Sequence, residues 1–397
     1  MKRIGKPAVA VLLLILLGGC WDRTELNDLA VVTALALDMG ENNQIRTTIQ
    51  VIIPQNQGAG GMMGGGGTGG GAARRTTIRS EQGSNIADAL SKLQRKMPRK
   101  LFWGQCKIFV FSETLAKAGI REQFDFLVRH PQPRERAYMF VSKGLAAEAL
   151  ELFPPIERSS AEVMRKLSDL QIGIRVTLEQ LSQMLKGEAR SAMLPLIYIL
   201  PKAVSAEPYQ TIPYIFGTAI FKKDKMVGEI SEKVTRGVMW IKNEIKEYTV
   251  TYKIGKEEGF VSLKPVKARV RMIPEMDGNQ WRMTIKVYTE GDLVQNGTVL
   301  DPMDPNLLKS MEESFANDVA ERIRLALREA QERLKVDMFG FATEYYRKYP
   351  KQWEAVKDHW DDTFPDVKVK VEVEAHILRP GLINTPGGMP EEEVTKQ

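Results

Sequence analysis

The chain has 397 residues, of which 43% are apolar and 27% are charged, and its formal net charge is +6 at pH 7. This composition is typical of packed globular protein and excludes a collagen-like or wholly disordered chain. The length exceeds one ordinary hydrophobic core and fits two or three domains, and the small net charge gives no indication of nucleic-acid binding.

The first twenty residues carry the pattern of a secretory signal. Three basic residues lie among the first six, an apolar run covers residues 8–17, and two glycines precede Cys20. The run and the glycines together make 12 residues, whereas a membrane-spanning helix needs roughly 20. Residues 1–19 are therefore predicted to be a cleavable signal peptide. The alternative is a signal-anchor helix with an incidental thiol.

The sequence LGGC at 17–20 resembles a bacterial lipobox. This resemblance implies that cleavage precedes Cys20, that its thiol receives an S-diacylglycerol, and that the new amine is N-acylated. Two or three acyl chains, at about 0.8 kcal/mol per buried CH₂, make a stable membrane anchor. The chain is therefore predicted to be exported and lipid-anchored.

The first segments after the signal predict a hairpin followed by a flexible loop. Residues 29–38 and 44–53 read as strands, joined by the turn-prone GENN at 40–43. In the tract 58–71, ten of fourteen residues are glycine, with no Gly-Lys-Ser/Thr ending to cradle a phosphate. We expect this tract to be a disordered loop within residues 20–200.

Strands and helices then alternate, which predicts a mixed sheet with helices in an N-terminal α/β region of residues 20–200, of one lobe or two. Asn85, Ser112 and Thr177 are predicted helix N-caps, and Thr177 with Gln180 matches a capping box. The apolar segment 106–111 predicts a buried strand that contains Cys106, the one cysteine besides Cys20.

The prolines and small residues of 201–213 predict a boundary, followed by a second domain over residues 211–379. KDK at 223–225 predicts a hairpin turn. Apolar and polar residues alternate over 266–272, 282–287 and 367–377, and this period of two predicts an antiparallel sheet covered on one side.

The cover for that sheet is predicted to be a long helix over residues 305–335. Asp304 and Pro305 supply an N-cap and N1 pair, and an apolar stripe runs from Leu308 to Leu334. The stripe also fits a coiled coil, but packing on the chain's own sheet is favoured. Residues 380–397 lack periodicity and are predicted to be a flexible tail. The fold class is thus α/β (α+β) and multi-domain.

No constellation of catalytic, metal-binding or cofactor-binding residues is recognisable in the sequence. The three histidines, His130, His359 and His376, have no metal-ligand spacing, and no Gly-x-Ser-x-Gly elbow occurs. Asp361-Asp362 and the glutamates at 391–393 read as solvated surface. An aromatic group at 345–360 fits either a helix packed on the sheet, which is favoured, or a partner or membrane surface.

The mature start and several later segments together resemble one family. CWDRTELNDL at 20–29, FVFSETLAKAGI at 109–120, FLVR at 126–129 and the hairpin at 217–228 are similar to the Ger(x)C family, the lipoprotein C subunits of nutrient germinant receptors in endospore-forming bacteria. The likeness covers the mature chain, and the glycine tract is its chief departure.

The resemblance implies a three-lobed α/β body anchored on the outer face of the spore inner membrane. It also implies two partners: an A subunit with membrane spans and a B subunit similar to amino-acid transporters. Only the lipidated cysteine carries over, onto Cys20. The second hypothesis is a lipid-tethered solute-binding or hydrolytic protein of the envelope, which predicts a deep cleft with convergent polar groups.

Overall fold

The structure is a computed structural model that describes residues 25–53, 75–246, 248–379 and Pro390. The predicted signal peptide, Cys20, the glycine tract and all of the predicted tail but Pro390 lie outside the described residues. Within the described ranges, no helix combines the length and apolar character needed to cross a membrane.

The described residues form two sheets, and the first has nine strands. Their bounds are β1 Leu29–Met39, β2 Ile45–Ile52, β3 Thr76–Gly83, β4 Lys100–Phe102, β5 Ile108–Ser112, β6 Tyr138–Ser142, β7 Ser191–Ile199, β8 Pro213–Lys222 and β9 Lys225–Ser231. The order is β3-β2-β1-β5-β6-β7-β8-β9, with β4 also paired to β1. Strands β1, β5, β6 and β7 are parallel, and an antiparallel hairpin flanks them on each side. The predicted hairpins at both places are confirmed.

Helices cover both faces of this sheet. Their bounds are α1 Ile86–Arg95, α2 Glu113–Ala118, α3 Arg121–Arg129, α4 Ala146–Glu151, α5 Ser160–Asp169, α6 Leu178–Lys186 and α7 Glu232–Ile241. Leu35 and Leu37 of β1 face a core that includes α1, α2 and α3, whereas Ala34 and Ala36 face α4 and α5. Burial on both sides explains why these strands are apolar throughout.

The predicted caps begin the helices as expected. The side chains of Asn85, Ser112 and Thr177 each accept a hydrogen bond from a backbone N–H three residues on, and Thr177 with Gln180 forms a reciprocal capping box. These bonds satisfy donors that have no partner inside the helix. The alternation of strands and helices therefore gives the predicted α/β arrangement.

The second sheet has four strands, β10 Val250–Tyr252, β11 Val261–Asp277, β12 Gln280–Asn296 and β13 Lys368–Arg379, in that order. Its helices are α8 Pro305–Arg328, which continues as a π-helical turn Glu329–Leu334, then α9 Phe341–Lys348, α10 Pro350–Val356 and α11 Trp360–Thr363. Asp304 caps α8 as predicted. Met311, Phe315 and Val319 of α8 are fully buried, so the helix packs within its own chain.

One pairing in the second sheet differs from the prediction. The last strand does complete the sheet, but β13 pairs parallel to β12, so the sheet is mixed rather than antiparallel. The long helix causes this difference, because a chain that leaves β12 and returns by a helix across the sheet re-enters in the same direction.

The predicted boundary at residues 201–213 lies between two neighbouring strands of the first sheet. Strand β8, which follows it, pairs along the whole of β7, and β9 adds the outer edge. The division at 200 and 211 stays a prediction, and the start of the later region, as far as Ser231, completes the earlier sheet. Helix α7 then packs on α8 and joins the two halves.

Candidate functional site

Strand β1 carries the described chain away from the predicted lipid attachment site. The described residues begin at Glu25, five residues after Cys20, so an extended chain places the Cys20 backbone at most about 18 Å from Glu25. A short helical turn, Leu26–Asp28, leads from there into β1. The edge of the first sheet where the parallel strands begin is thus the edge nearest to the start of the described chain.

Exposed cations and isoleucines from separate segments meet at this edge. Lys100 pairs with Leu29 at the start of β1, and the N–H of Ile53 donates to the carbonyl of Arg75 at 2.9 Å. A cleft of about 890 Å³ opens beside Ile53 and Arg75, and its lining also includes Lys107 and Arg158. We call the surface formed by Ile53, Arg75, Lys100, Lys107, Ile156 and Arg158 the basic edge.

Ion pairs neutralise the acidic residues of this cleft. Arg165 binds Glu162 at 2.6 Å and also binds Asp169, while Lys166 binds Glu157 at 2.5 Å. The hydrogen bond from Arg165 lowers the pKa of Glu162. By contrast, the side chains of the four basic-edge cations are exposed, and the charge of Lys107 also helps to lower the pKa of Glu162. The edge therefore presents more positive than negative charge.

A second polar site is buried between the two halves of the molecule, at Asp337. Its carboxylate accepts hydrogen bonds of 2.7–3.2 Å from four backbone N–H groups and one indole, those of Phe339, Gly340, Phe341, Ala342 and Trp360. The carbonyl of Asp337 accepts a bond from the hydroxyl of Ser191 on β7. Burial raises the pKa of Asp337, and the N–H donors oppose that rise. This residue accepts bonds from the first N–H groups of α9, and its own carbonyl links that segment to the first sheet.

Three members of the aromatic group at 345–360 form core, and one of them, Trp360, bonds Asp337. Tyr345, Trp353 and Trp360 are at most 3% exposed, and the rings of Trp353 and Trp360 lie edge to face at 5.1 Å. The indole of Trp353 donates to Glu188, which precedes β7. The favoured interpretation of this group, a helix packed on the sheet, agrees with this burial.

A buried carboxylate also lies inside the first half. Asp38 is fully buried at the end of β1 and accepts bonds from the N–H groups of Ala146 and Ala147, at 2.7 and 3.1 Å. Burial raises the pKa of Asp38, while these two bonds lower it. Asp38 thus accepts bonds from the first turn of α4, at the end of the sheet opposite the basic edge.

The remaining candidate side chains are buried, packed against other rings or paired with opposite charges. Cys106 is fully buried, and burial raises the pKa of its thiol to about 12, which disfavours a nucleophilic thiolate. His130 packs against Trp103 and Phe126, whereas His376 pairs with Glu374. The described residues contain no group of three or more His, Cys, Asp or Glu placed to hold a metal ion. Asp361 pairs with Lys222.

Both halves of the chain match known family models. Residues 22–199 match the spore germination protein N-terminal domain, and residues 216–381 match the model described as "Spore germination B3/ GerAC like, C-terminal". A structure titled "Crystal Structure of the GerBC protein" is similar with a TM-score of 0.57 at 17% identity, over 87% of this chain and 96% of the other.

Relatives align over nearly their full length. Spore germination protein KC of Bacillus subtilis (strain 168) is 31% identical over 96% of this chain and 98% of its own. Spore germination protein B3 of the same organism is 22% identical over 96% of this chain and 100% of its own. These matches account for both sheets and for the helices that join them. The chain therefore belongs to the Ger(x)C family and has its role in spore germination.

Proposed function

We propose that this chain is a non-enzymatic lipoprotein subunit of a nutrient germinant receptor, needed for spores to germinate in response to nutrients. Lipid on Cys20 anchors it to the outer face of the spore inner membrane. The observation that carries the proposal is family membership over both halves of the chain. The apolar run at 8–17, followed by two glycines and Cys20, supports the anchor.

The folded body docks on membrane partners, an A subunit with membrane spans and a B subunit similar to amino-acid transporters. In this arrangement the chain supports assembly or signal transmission, and it does not itself carry out chemistry. The structural use of its buried acids supports this role, because Asp38 and Asp337 both accept backbone hydrogen bonds at helix starts. A carboxylate engaged in this way is held in place by the fold.

Replacing Cys20 with alanine tests the anchor. The variant loses its thiol and with it the S-diacylglycerol, so metabolic labelling with palmitate disappears and germination after nutrient addition, followed as loss of optical density, slows or stops. Cys106→Ala is the matched control, because Cys106 is buried and inaccessible to the lipid-transfer enzymes. Normal nutrient germination with an unlabelled Cys20→Ala protein would contradict the proposed role of the anchor.

A melting experiment separates this proposal from the envelope solute-binding alternative. A ligand that binds the folded state raises stability by about 2.7 kcal/mol at a concentration 100 times its Kd. We expect the isolated chain to keep its Tm across a panel of amino acids and sugars. A reproducible rise with one nutrient would support direct solute binding.

A further inference from the structure

We infer that the basic edge is a membrane-docking surface that lies against anionic phospholipid headgroups. The inference rests on the proposed lipid anchor and goes beyond it, because it assigns the side of the folded body that faces the bilayer. It also names the lipid chemistry that this side recognises, which is the phosphate of an anionic headgroup.

The position of the tether is the first observation. Leu29, where β1 begins, pairs with Lys100, and Ile53 and Arg75 lie beside the same end of β1. At most about 18 Å of extended chain separates Glu25 from Cys20. An acylated Cys20 therefore keeps the basic edge close to the headgroups, whereas the far end of the sheet lies about 33 Å away along the 11 residues of β1.

The charge of the edge is the second observation. Arg75, Lys100, Lys107 and Arg158 are exposed, and the cleft acids Glu157 and Glu162 are already paired. Each exposed cation near an anionic membrane surface contributes an attraction that falls off within a Debye length. Glu25 and Asp28 near the start of β1 oppose only part of this charge.

Exposed aliphatic side chains are the third observation. Ile156 is 90% exposed and Ile53 is 37% exposed. Ile53 lines the cleft with Arg75, and Ile156 lies two residues before Arg158 in the chain. Cations mixed with exposed apolar side chains are typical of surfaces that rest in the boundary between headgroups and acyl chains. The combination favours a bilayer over an acidic soluble ligand, which would need no isoleucine.

The test uses the lipidated full-length protein with one introduced cysteine at a time. Only the introduced cysteine reacts with a thiol reagent, because neither native cysteine is available to it. Cys20 carries lipid under the proposed function, and Cys106 is buried. Gln105→Cys places a bimane fluorophore at the cleft, whereas Ser84→Cys places one at the far end of the sheet. Their levels along the strands differ by about 20 Å. Both positions are exposed and uncharged.

Each labelled protein is reconstituted into vesicles that contain nitroxide-headgroup lipid as a quencher. In phosphatidylglycerol vesicles at 0.1 M salt we expect strong quenching at position 105 and little at position 84. The difference should disappear at 1 M salt, where the Debye length is about 3 Å, and in pure phosphatidylcholine.

A triple variant, Arg75→Gln with Lys107→Gln and Arg158→Gln, should lose the preference for quenching at position 105. The matched control is Lys256→Gln with Arg269→Gln and Arg271→Gln, which removes the same charge from exposed positions outside the basic edge and should keep the preference.

Three results would overturn the inference: equal quenching at both positions, a preference that persists in phosphatidylcholine or at 1 M salt, or a preference that survives the edge triple variant. Failure of the anchor is recognised separately. In that case the protein does not float with the vesicles and its N-terminal peptide lacks the mass of the acyl chains.

Discussion

The two sheets bury their strands in different ways. Strand β1 of the first sheet places Leu35 against one layer of helices and Ala36 against another, so both faces are core. Strand β12 of the second sheet buries Ile285 and Val287 but exposes Lys286. The first half is therefore a three-layer body, and the second half is a two-layer body with one free, charged face.

The difference shows where the second half obtains its support. The second half also contacts the first half. These contacts are made by α8 on α7 and by the segment around Asp337. Asp38 has an equivalent role within the first half. Substituting Asp38 weakens interactions within the first half, whereas substituting Asp337 weakens those that connect the two halves.

The largest effect is expected from Asp337→Ala. Removing this carboxylate leaves four backbone N–H groups and one indole N–H buried without an acceptor, so the free energy of unfolding should fall by about 3–5 kcal/mol. Asp38→Ala leaves two such donors and should cost about 1–3 kcal/mol. Urea unfolding of both variants measures the difference.

The control for this pair is Asp361→Ala, which breaks a half-exposed ion pair with Lys222 and should cost less than about 1 kcal/mol. If Asp337→Ala proves no more harmful than this control, Asp337 does not hold the halves together. A larger loss for Asp38→Ala than for Asp337→Ala would reverse the comparison.

A smaller effect is expected from Gly237→Ala, at the contact between α7 and α8. A Cβ at this position would lie 2.1 Å from the carbonyl oxygen of Arg322, so the helices must separate. The loss should be about 1–3 kcal/mol, even though alanine favours a helix more than glycine does. In Gly291→Ala, a matched control, the nearest atom is 3.4 Å away. A neutral Gly237→Ala in urea unfolding would show that the two helices pack loosely.

The parts of the fold that depend on neighbouring residues could be predicted from the sequence. Asn85, Ser112 and Thr177 each bond an N–H three residues along the chain, so spacing alone was sufficient. The alternation in β12 predicted its covered face for the same reason. Alternation does not indicate strand direction. The antiparallel pairing predicted for β13 was therefore wrong, because β13 lies parallel to β12.

The parts that depend on distant contacts could not be predicted. Val266 belongs to the apolar alternation of β11 but is 51% exposed, because the register shifts between Pro265 and Lys267. The carboxylate of Asp337 accepts bonds from the nearby N–H groups of residues 339–342, but its bond from the indole of Trp360 comes from 23 residues away and could not be predicted. The basic edge likewise assembles cations that lie far apart in the sequence, so composition gave no sign of it.

The smallest effect is expected on the free face of the second sheet, at His376. A hydrogen bond to Glu374 and the charge of Glu312 raise the pKa of His376 above its ordinary value of 6.5. The protonated imidazole therefore stabilises the folded state fully below about pH 6.5, and this contribution is lost as the pH rises through the raised pKa.

His376→Gln should accordingly lower the free energy of unfolding at pH 6 and have a smaller effect at pH 9. The loss should stay below about 0.5 kcal/mol, because the imidazole is partly solvated and the ion pair is screened. A loss above 1 kcal/mol, measured as the change in urea midpoint between the two pH values, would mean that this face is more tightly held than its exposure implies. The second sheet would then resemble the first, which is covered on both faces, more closely than the exposure of its free face indicates.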